Sequence, residues 1–299
     1  MRHTGFLLLS FVAALLSCSS DDEPEQRTDG RKLRQLTIAE VPVTRATLTE
    51  NESALGAAWK AGDRATYFNV TSFETYNNMD YGTLTASASA STSAFTGTVR
   101  CKAGDNVALF YPHQDVPEQD PNRGMFTVNL AGQDGTLATI AENFHYVYGV
   151  AAVTSVTDNT ANATISNMQS LLAVCKFSFK DGTEVIPVKT LTINYYDNND
   201  IYPTTIGYPL SATLTPTADV STLALTYPAQ GNDAWNNKGL SVTLDSETSD
   251  GVYVALFPDS PTGYMHFTVT NSSGSTYTGT AKAKLNAGKY YPVTLKVTK

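Results

Sequence analysis

Charged residues are scarce in this sequence, and their scarcity limits the kind of surface that the protein can have. Only 16% of the 299 residues are charged, against roughly a quarter in an average globular protein. Hydrophobic residues make up 41% of the chain, which is enough to pack a core. The polar surface must therefore come from Ser, Thr, Asn and Tyr. The formal net charge of −8 argues against nucleic acid as a partner, because phosphate binding needs a concentrated basic face.

Sequence motifs for catalysis and metal binding are also missing. The chain contains no G-x-S-x-G, no P-loop, no G-x-G-x-x-G and no H-E-x-x-H. The four histidines, at positions 3, 113, 145 and 266, are scattered. Metal ligation would need partners that the sequence does not cluster. We therefore expect no metal, no cofactor and no enzymatic activity.

The first seventeen residues have the pattern of a bacterial signal peptide. After Arg2 and His3, residues 6–16 form an apolar run, and a helix of that length rises about 16 Å, half of a bilayer core. The run is too short to span a membrane and has the length of a signal-peptide core. Ser17 and Cys18 at its end are similar to the lipobox of bacterial lipoproteins, in which the Cys thiol receives diacylglycerol. We expect residues 1–17 to be removed and Cys18 to be lipidated.

Two segments of different character follow Cys18. Residues 19–26 carry four acidic side chains in a short polar run, which predicts a disordered tether. The acids resemble the signal that sends some Gram-negative lipoproteins to the outer surface, although any solvated linker would have the same composition. Residues 27–45 are more basic and contain interspersed apolar side chains.

The second of these segments predicts a strand of irregular register. Leu36 and Ile38 alternate with polar neighbours, whereas Val41 and Val43 continue at the other parity. Pro42 between the two valines suits an edge strand or a strand end. Arg45, which follows, is flanked by small, β-prone residues. An exposed arginine there would be open to a trypsin-like protease, and the alternative is an ordinary surface arginine.

From residue 46 onward the chain alternates short strands with turn residues, which is typical of β-sandwiches. Sixteen Tyr and many Thr and Val favour strands over helices. We expect an all-β fold of two sandwich domains, residues 46–185 and 186–299. One turn of helix is predicted in residues 51–59 and another in 217–225. Residues 107–112 and 252–258 echo each other, as apolar strands stopped by Pro.

The cysteines other than Cys18 leave two alternatives open. Cys101 and Cys175 could form a disulfide, because an exported protein meets oxidising conditions. The alternative is two buried thiols that act as small hydrophobic side chains, which the core-strand pattern of both segments favours.

Several segments together resemble the fimbrillin family, the subunits of type V pili. A Trp and a Gly-Asp turn lead into an aromatic strand, and a later apolar strand ends in Pro. A Tyr-rich strand, an apolar strand and a terminal "aGkxY" strand follow in the family's order. These features lie in residues 59–68, 109–112, 146–151, 168–174 and 285–294.

The resemblance implies two transthyretin-like β-sandwiches and a mechanism of assembly. Such pilins reach the outer membrane as lipoproteins whose first strand covers a groove. A surface protease specific for Arg cuts, and a strand of a neighbouring subunit then fills the groove. On this resemblance Arg45 and Ala46 flank the cut, and Leu36, Ile38, Val41 and Val43 belong to the displaced strand. The expected partners are other pilin subunits, in a cell-surface fimbrium that supports adhesion.

The position of the subunit in such a fibre stays open. Stalk subunits of the family usually carry additional strand material at the C-terminus, whereas this sequence stops at Lys299, shortly after the strand in residues 288–297. Either that strand donates, or the subunit is a tip or minor component that only accepts, or it is an anchor that keeps its lipid. A different hypothesis is a monomeric surface lipoprotein that binds a glycan or host ligand through exposed aromatics, with Trp59 and Trp235 as candidates.

Overall fold

The computed structural model describes residues 29–42, 47–51, 54–76, 80–115, 126–196, 205–228, 235–236, 238–258 and 264–299. Contacts divide the chain into two units, Met1–Arg31 and Lys32–Lys299. In the first unit, Asp29 and Arg31 form an ion pair. Across the described ranges, no helix is long and apolar enough to cross a membrane.

The second unit is all-β, as the sequence predicts. Its described residues form 22 strands, two short α-helices and one 3₁₀ turn. The elements of its first half are β1 (Lys32–Pro42), β2 (Thr47–Asn51), β3 (Ala54–Ala58), β4 (Arg64–Asn69), α1 (Val70–Tyr76), β5 (Tyr81–Ala86), β6 (Thr92–Cys101), β7 (Asn106–Tyr111), β8 (Phe126–Asn129), α2 (Leu137–Asn143), β9 (Val147–Val156) and β10 (Thr160–Ser170).

The second half continues with strands of similar length. They are β11 (Ala173–Asp181), β12 (Glu184–Ile186), β13 (Val188–Tyr196), β14 (Thr205–Pro209), β15 (Ser211–Leu214), β16 (Leu225–Thr226), β17 (Trp235–Asn236), β18 (Leu240–Thr248), β19 (Val252–Leu256), β20 (Tyr264–Thr270), β21 (Thr276–Lys282) and β22 (Tyr290–Lys296), with the 3₁₀ turn Val220–Thr222 between β15 and β16.

Seven strands of the first half close a barrel in the order β1-β10-β9-β7-β4-β5-β6. The pairs within it are antiparallel except for β1 and β10, which run parallel. β1 is the strand that closes the barrel, because the other six form an open arrangement with β6 and β10 at its edges. Alternate side chains fill the interior, among them Leu36, Leu84, Phe95, Leu109 and Val153.

β7 belongs to two cores at once, which explains its continuous apolar sequence. Val107, Leu109 and Tyr111 face the barrel interior. Ala108 and Phe110, at the other parity, join the larger core that the second half contributes to. A strand buried on both faces carries apolar residues at both parities. The wall that contains β7 therefore packs against the rest of the unit.

The second half is built on two sheets. In one, β11 runs parallel to β22 and antiparallel to β19 and β12. In the other, β13 pairs with β20 on one side and with β18 and β14 on the other, and β21 extends the sheet beyond β20. Aromatic side chains of the two sheets meet between them, with the rings of Phe177 and Phe267 5.1 Å apart.

β11 is joined to strands that come late in the chain. We predicted a first domain that ends at residue 185, and β11, which ends at Asp181, pairs with β19 and β22. The change from one set of strands to the other therefore falls near residue 172, between β10 and β11. The two sets are also linked, because β8 pairs with β15. Sequence patterning could not predict the partners of β11, because an apolar strand fits either set of strands.

One predicted helical turn is wrong and the other is confirmed. Residues 54–58 form β3, which pairs with β2 in a hairpin, so tertiary pairing overrides the local helical preference. Residues 220–222 form the 3₁₀ turn, with the Asp219 side chain accepting a hydrogen bond from the Ser221 N–H at its start.

Candidate functional site

The site that the structure singles out is the groove between β6 and β10, which β1 occupies. β1 pairs antiparallel with β6 from Lys32↔Cys101 to Pro42↔Thr92. Its other edge pairs parallel with β10 from Gln35↔Thr160 to Ala39↔Thr164. An 11-residue strand from the start of the unit is thus held between two strands that do not otherwise meet. We call this space the β1 groove.

The side chains that β1 sends into the barrel include three of the four predicted ones. Leu36, Ile38 and Val41 are each 0% exposed, and burying an aliphatic side chain of this size contributes roughly 1.5–3 kcal/mol. Val43 lies outside the described residues. Together the three buried side chains anchor β1 in the groove.

A β-bulge explains why the sequence of β1 changes parity. Between Ile38 and Val41 the register with β6 shifts, because β1 has one residue more than its partner. Glu40 in the bulge has φ 52°, in the left-handed region that side chains rarely adopt. The inserted residue returns Val41 to the barrel interior. Pro42 is the last residue of the strand, as its type predicts.

Trp59 closes the C-terminal end of the groove. Its indole Nε1 donates a hydrogen bond to the Val41 carbonyl at 3.0 Å. Its ring meets Phe95 and Tyr111 edge-on, with centroids 4.9 and 5.3 Å away. Trp59 is 1% exposed, so the hypothesis that it is an exposed aromatic for glycan binding is wrong. The side chain of Trp235, the other candidate, lies outside the described residues.

Arg34 holds the N-terminal end of β1. Its Nε donates to the Thr157 carbonyl at 2.7 Å, and its terminal nitrogen donates to the carbonyls of Cys101 and Lys32. The residue is only 6% exposed. Nearby, Lys32 and Asp158 form an ion pair at 3.2 Å with both side chains largely exposed, and exposed pairs of this kind stabilise little.

A second cluster fixes the segment that follows β1. Glu50 on β2 accepts hydrogen bonds from Lys176 Nζ at 2.9 Å and from the hydroxyls of Tyr253 and Tyr290. These donors, led by Lys176, lower the pKa of Glu50 to about 2, and Glu50 in turn raises the pKa of Lys176. The donors stand on β11, β19 and β22, so β2 is tied to the second half. We call these four residues the Glu50 cluster.

The structure describes none of the predicted lipidation and processing residues. Cys18, Arg45 and Ala46 lie outside the described residues, but the segment with Arg45 connects β1 to β2 along the chain. A cut there would separate a strand held in the groove from a strand held by the Glu50 cluster. Sequence reasoning missed this cluster, because a single Glu, one Lys and two Tyr that are far apart in the chain give no local signal.

Cys101 and Cys175 are buried thiols and form no disulfide with each other. Cys101 belongs to the core inside the barrel and Cys175 to the larger core. Burial raises the pKa of the Cys175 thiol to about 12. Of the two alternatives, the structure has the pair of buried thiols. The described residues also contain no cluster of His, Cys, Asp or Glu that could hold a metal ion.

The fold is shared with solved bacterial structures, although the sequence itself matches no family model and no curated protein. One is a "putative cell adhesion protein" from Bacteroides uniformis, with a TM-score of 0.55 and 17% identity over 92% of this chain and 95% of that chain. Another, with the same description, is from Bacteroides ovatus, with a TM-score of 0.53 and 14% identity over 90% and 95% of the two chains. At these identities the likeness establishes a common fold.

Proposed function

We propose that this chain is a structural subunit of a bacterial surface fimbria of the type V class, and that it supports adhesion. It is exported as a lipoprotein that is lipidated at Cys18. It is then matured by a cut after Arg45 and polymerised by donor-strand exchange. The observation that supports the proposal most is the position of β1, which fills a groove between β6 and β10 and lies next to the predicted cut site in the sequence. The fimbrillin-like motifs and the fold shared with two adhesion candidates agree with it.

The physical reason for assembly is the state of the groove once β1 is gone. β6 and β10 would each lose a row of main-chain partners, and the places of Leu36, Ile38 and Val41 would stand empty in the barrel core. Unpaired edges and exposed apolar surface favour the addition of another strand. Main-chain hydrogen bonds supply affinity, and alternate side chains fill the vacated pockets. A strand of another subunit that has the same alternation would complete the barrel.

The Glu50 cluster suits this mechanism because it holds β2, the strand that follows the proposed cut at Arg45. After a cut at Arg45, β1 is held by the groove alone, whereas β2 stays attached through Glu50 to Lys176, Tyr253 and Tyr290. Maturation would then release the lipid and β1 together and leave the rest of the subunit folded.

Replacing the arginine tests the proposal in cells. Arg45→Ala should abolish fibres on the cell surface and leave a lipidated precursor, because no cut frees the groove. Arg27→Ala is the matched control, since a cut after Arg27 would remove the lipid but leave β1 in place, and it should assemble normally. Fibres and thermal unfolding are measured for both. Normal fibres from Arg45→Ala would contradict the proposal.

A further inference from the structure

Arg34 is a buried cation whose contacts are made to the backbone. Among the described residues its guanidinium donates to the carbonyls of Cys101, Thr157 and Lys32. Cys101 is 0% exposed and lies at the end of β6, whereas Thr157 follows β9 at the exposed rim. Arg34 also has the same parity as Leu36 and Ile38, so it enters the barrel mouth. Buried charges are costly unless hydrogen bonds satisfy them.

Two of these acceptors belong to the groove and not to β1. When β1 leaves, the Cys101 and Thr157 carbonyls each lose a charge-assisted hydrogen bond, and such bonds are stronger than neutral ones. A replacing strand that brings an apolar side chain to this position would not return the charge-assisted bond to the Cys101 carbonyl. An equivalent cation would restore that bond and so hold the bound strand more tightly.

We propose that the Cys101 and Thr157 carbonyls form a cation-binding position in the β1 groove, which selects the side chain of the strand bound there. The strand that replaces β1 must then carry Arg or Lys two residues before its first buried apolar side chain. The inference rests on the proposed strand exchange and adds a rule for partner choice. Arg suits the position best because its planar fork reaches two acceptors, whereas the ammonium of Lys is a single point.

The chain's own terminal strand follows this rule. Lys289 stands two residues before Tyr291, and Val293 and Leu295 continue the alternation, as Leu36 and Ile38 do after Arg34. The occupant that the rule assigns is a second copy of this chain, through residues 289–298. Its Pro292 falls at the place of Thr37, which is paired on both sides, and supplies no N–H there. Its Lys predicts weaker retention at the carbonyl pair than an Arg would give.

Peptide exchange into the intact protein tests the rule. The full chain is prepared with a specific protease site inserted between Pro42 and Thr47 and is then cut, so that β1 stays bound without a covalent link. Fluorescent peptides of residues 31–43 compete with it, either unchanged, as R34K or as R34M. K32M is the matched control, because it removes the same charge from an exposed side chain. A peptide of residues 288–298 and its K289M form are compared in the same way.

The binding affinities of the peptides should depend on the side chain at residue 34 or 289. We expect R34M and K289M each to bind about tenfold to a hundredfold more weakly than their parents, with R34K in between and K32M within about twofold of the unchanged peptide. Equal binding of the R34M, K32M and unchanged peptides would overturn the cation rule and leave strand exchange standing. If the unchanged peptide does not enter the groove at all, the proposed function fails together with the rule.

Discussion

The first and last strands of the unit, β1 and β22, both run parallel to a neighbour, yet they are held differently. β1 has a strand on each side and buries Leu36, Ile38 and Val41 completely. In the described residues β22 has a full ladder with β11 alone, and just beyond its end Thr298 forms an isolated bridge with Thr278. Its Val293 and Leu295 are half-buried beside an apolar cavity of about 70 Å³. β1 therefore fills a groove, whereas β22 covers an edge.

This difference determines which edges and which apolar surface are exposed when each strand is removed. Loss of β1 opens a barrel and uncovers two edges, which creates a site for another strand. Loss of β22 uncovers one edge of β11 and a surface that is already partly open. On this comparison the removal of β1 opens a groove with two unpaired edges, whereas the removal of β22 exposes a single edge.

A pair of matched leucine truncations should show the largest difference in the free energy of unfolding between the two strands. Leu36→Ala on β1 should lower the free energy of unfolding by about 2–5 kcal/mol, as for other fully buried leucines. Leu295→Ala on β22 should lower it by about half as much or less, because that side chain is half-buried. Urea denaturation of the uncut chain measures both values, and equal losses would remove the contrast between the two strands.

A change of intermediate size concerns the hydrogen bond that closes the groove. Trp59→Phe keeps an aromatic ring but removes the indole donor from the buried Val41 carbonyl, which should cost about 1–3 kcal/mol. Tyr291→Phe is the matched change on β22, where the hydroxyl accepts hydrogen bonds from the exposed Asn286, and it should cost about 0.5 kcal/mol or less. The same denaturation assay measures both variants. An equal or smaller loss for Trp59→Phe would contradict the role given to Trp59.

The smallest expected change in stability concerns the Glu50 cluster, which links β2 to β22. The folded pKa of about 2 lies below the ordinary value of 4.5, so the contribution of Glu50 is complete above pH 4.5 and is lost as the pH falls towards 2. Since Glu50 is partly exposed, the contribution is about 1 kcal/mol. Glu50→Gln should therefore be less stable at pH 7 and lose less on acidification.

Stability between pH 7 and pH 2 measures this contribution. The exposed Glu184→Gln is the control and should follow the wild type. An acid response of Glu50→Gln identical to that of the wild type would mean that the cluster does not stabilise the fold.

The sequence predicted the strand in residues 36–42 well, because its apolar side chains and Pro42 are local signals. It also predicted the irregular register, but not that a bulge at Glu40 brings Val41 back to the barrel interior. The groove itself could not be predicted, since it depends on β6 and β10, which lie about 60 and 125 residues away along the chain. Arg34 was missed for the same reason: one of several basic residues in residues 27–45 has the pattern of a solvated charge until the carbonyls around it are known.

The strands β11 and β3 show the same limit. β11 reads as a core strand at either end of a sandwich, and only its pairing with β19 and β22 assigns it to the second half. The local pattern in residues 51–59 suggested a helical turn, and the pairing of β3 with β2 replaced it. Alternation and turn residues thus predict strands, whereas partners many residues away decide which sheet each strand joins.

Identification of the first residue of the protein in cell-surface fibres tests the central claim most directly. Fibres are sheared from cells, dissociated, and analysed by N-terminal sequencing and intact mass. The account predicts a subunit that begins at Ala46, without lipid and without residues 18–45. A subunit that begins at a lipidated Cys18 in every fraction would contradict it, because β1 would then still fill the groove.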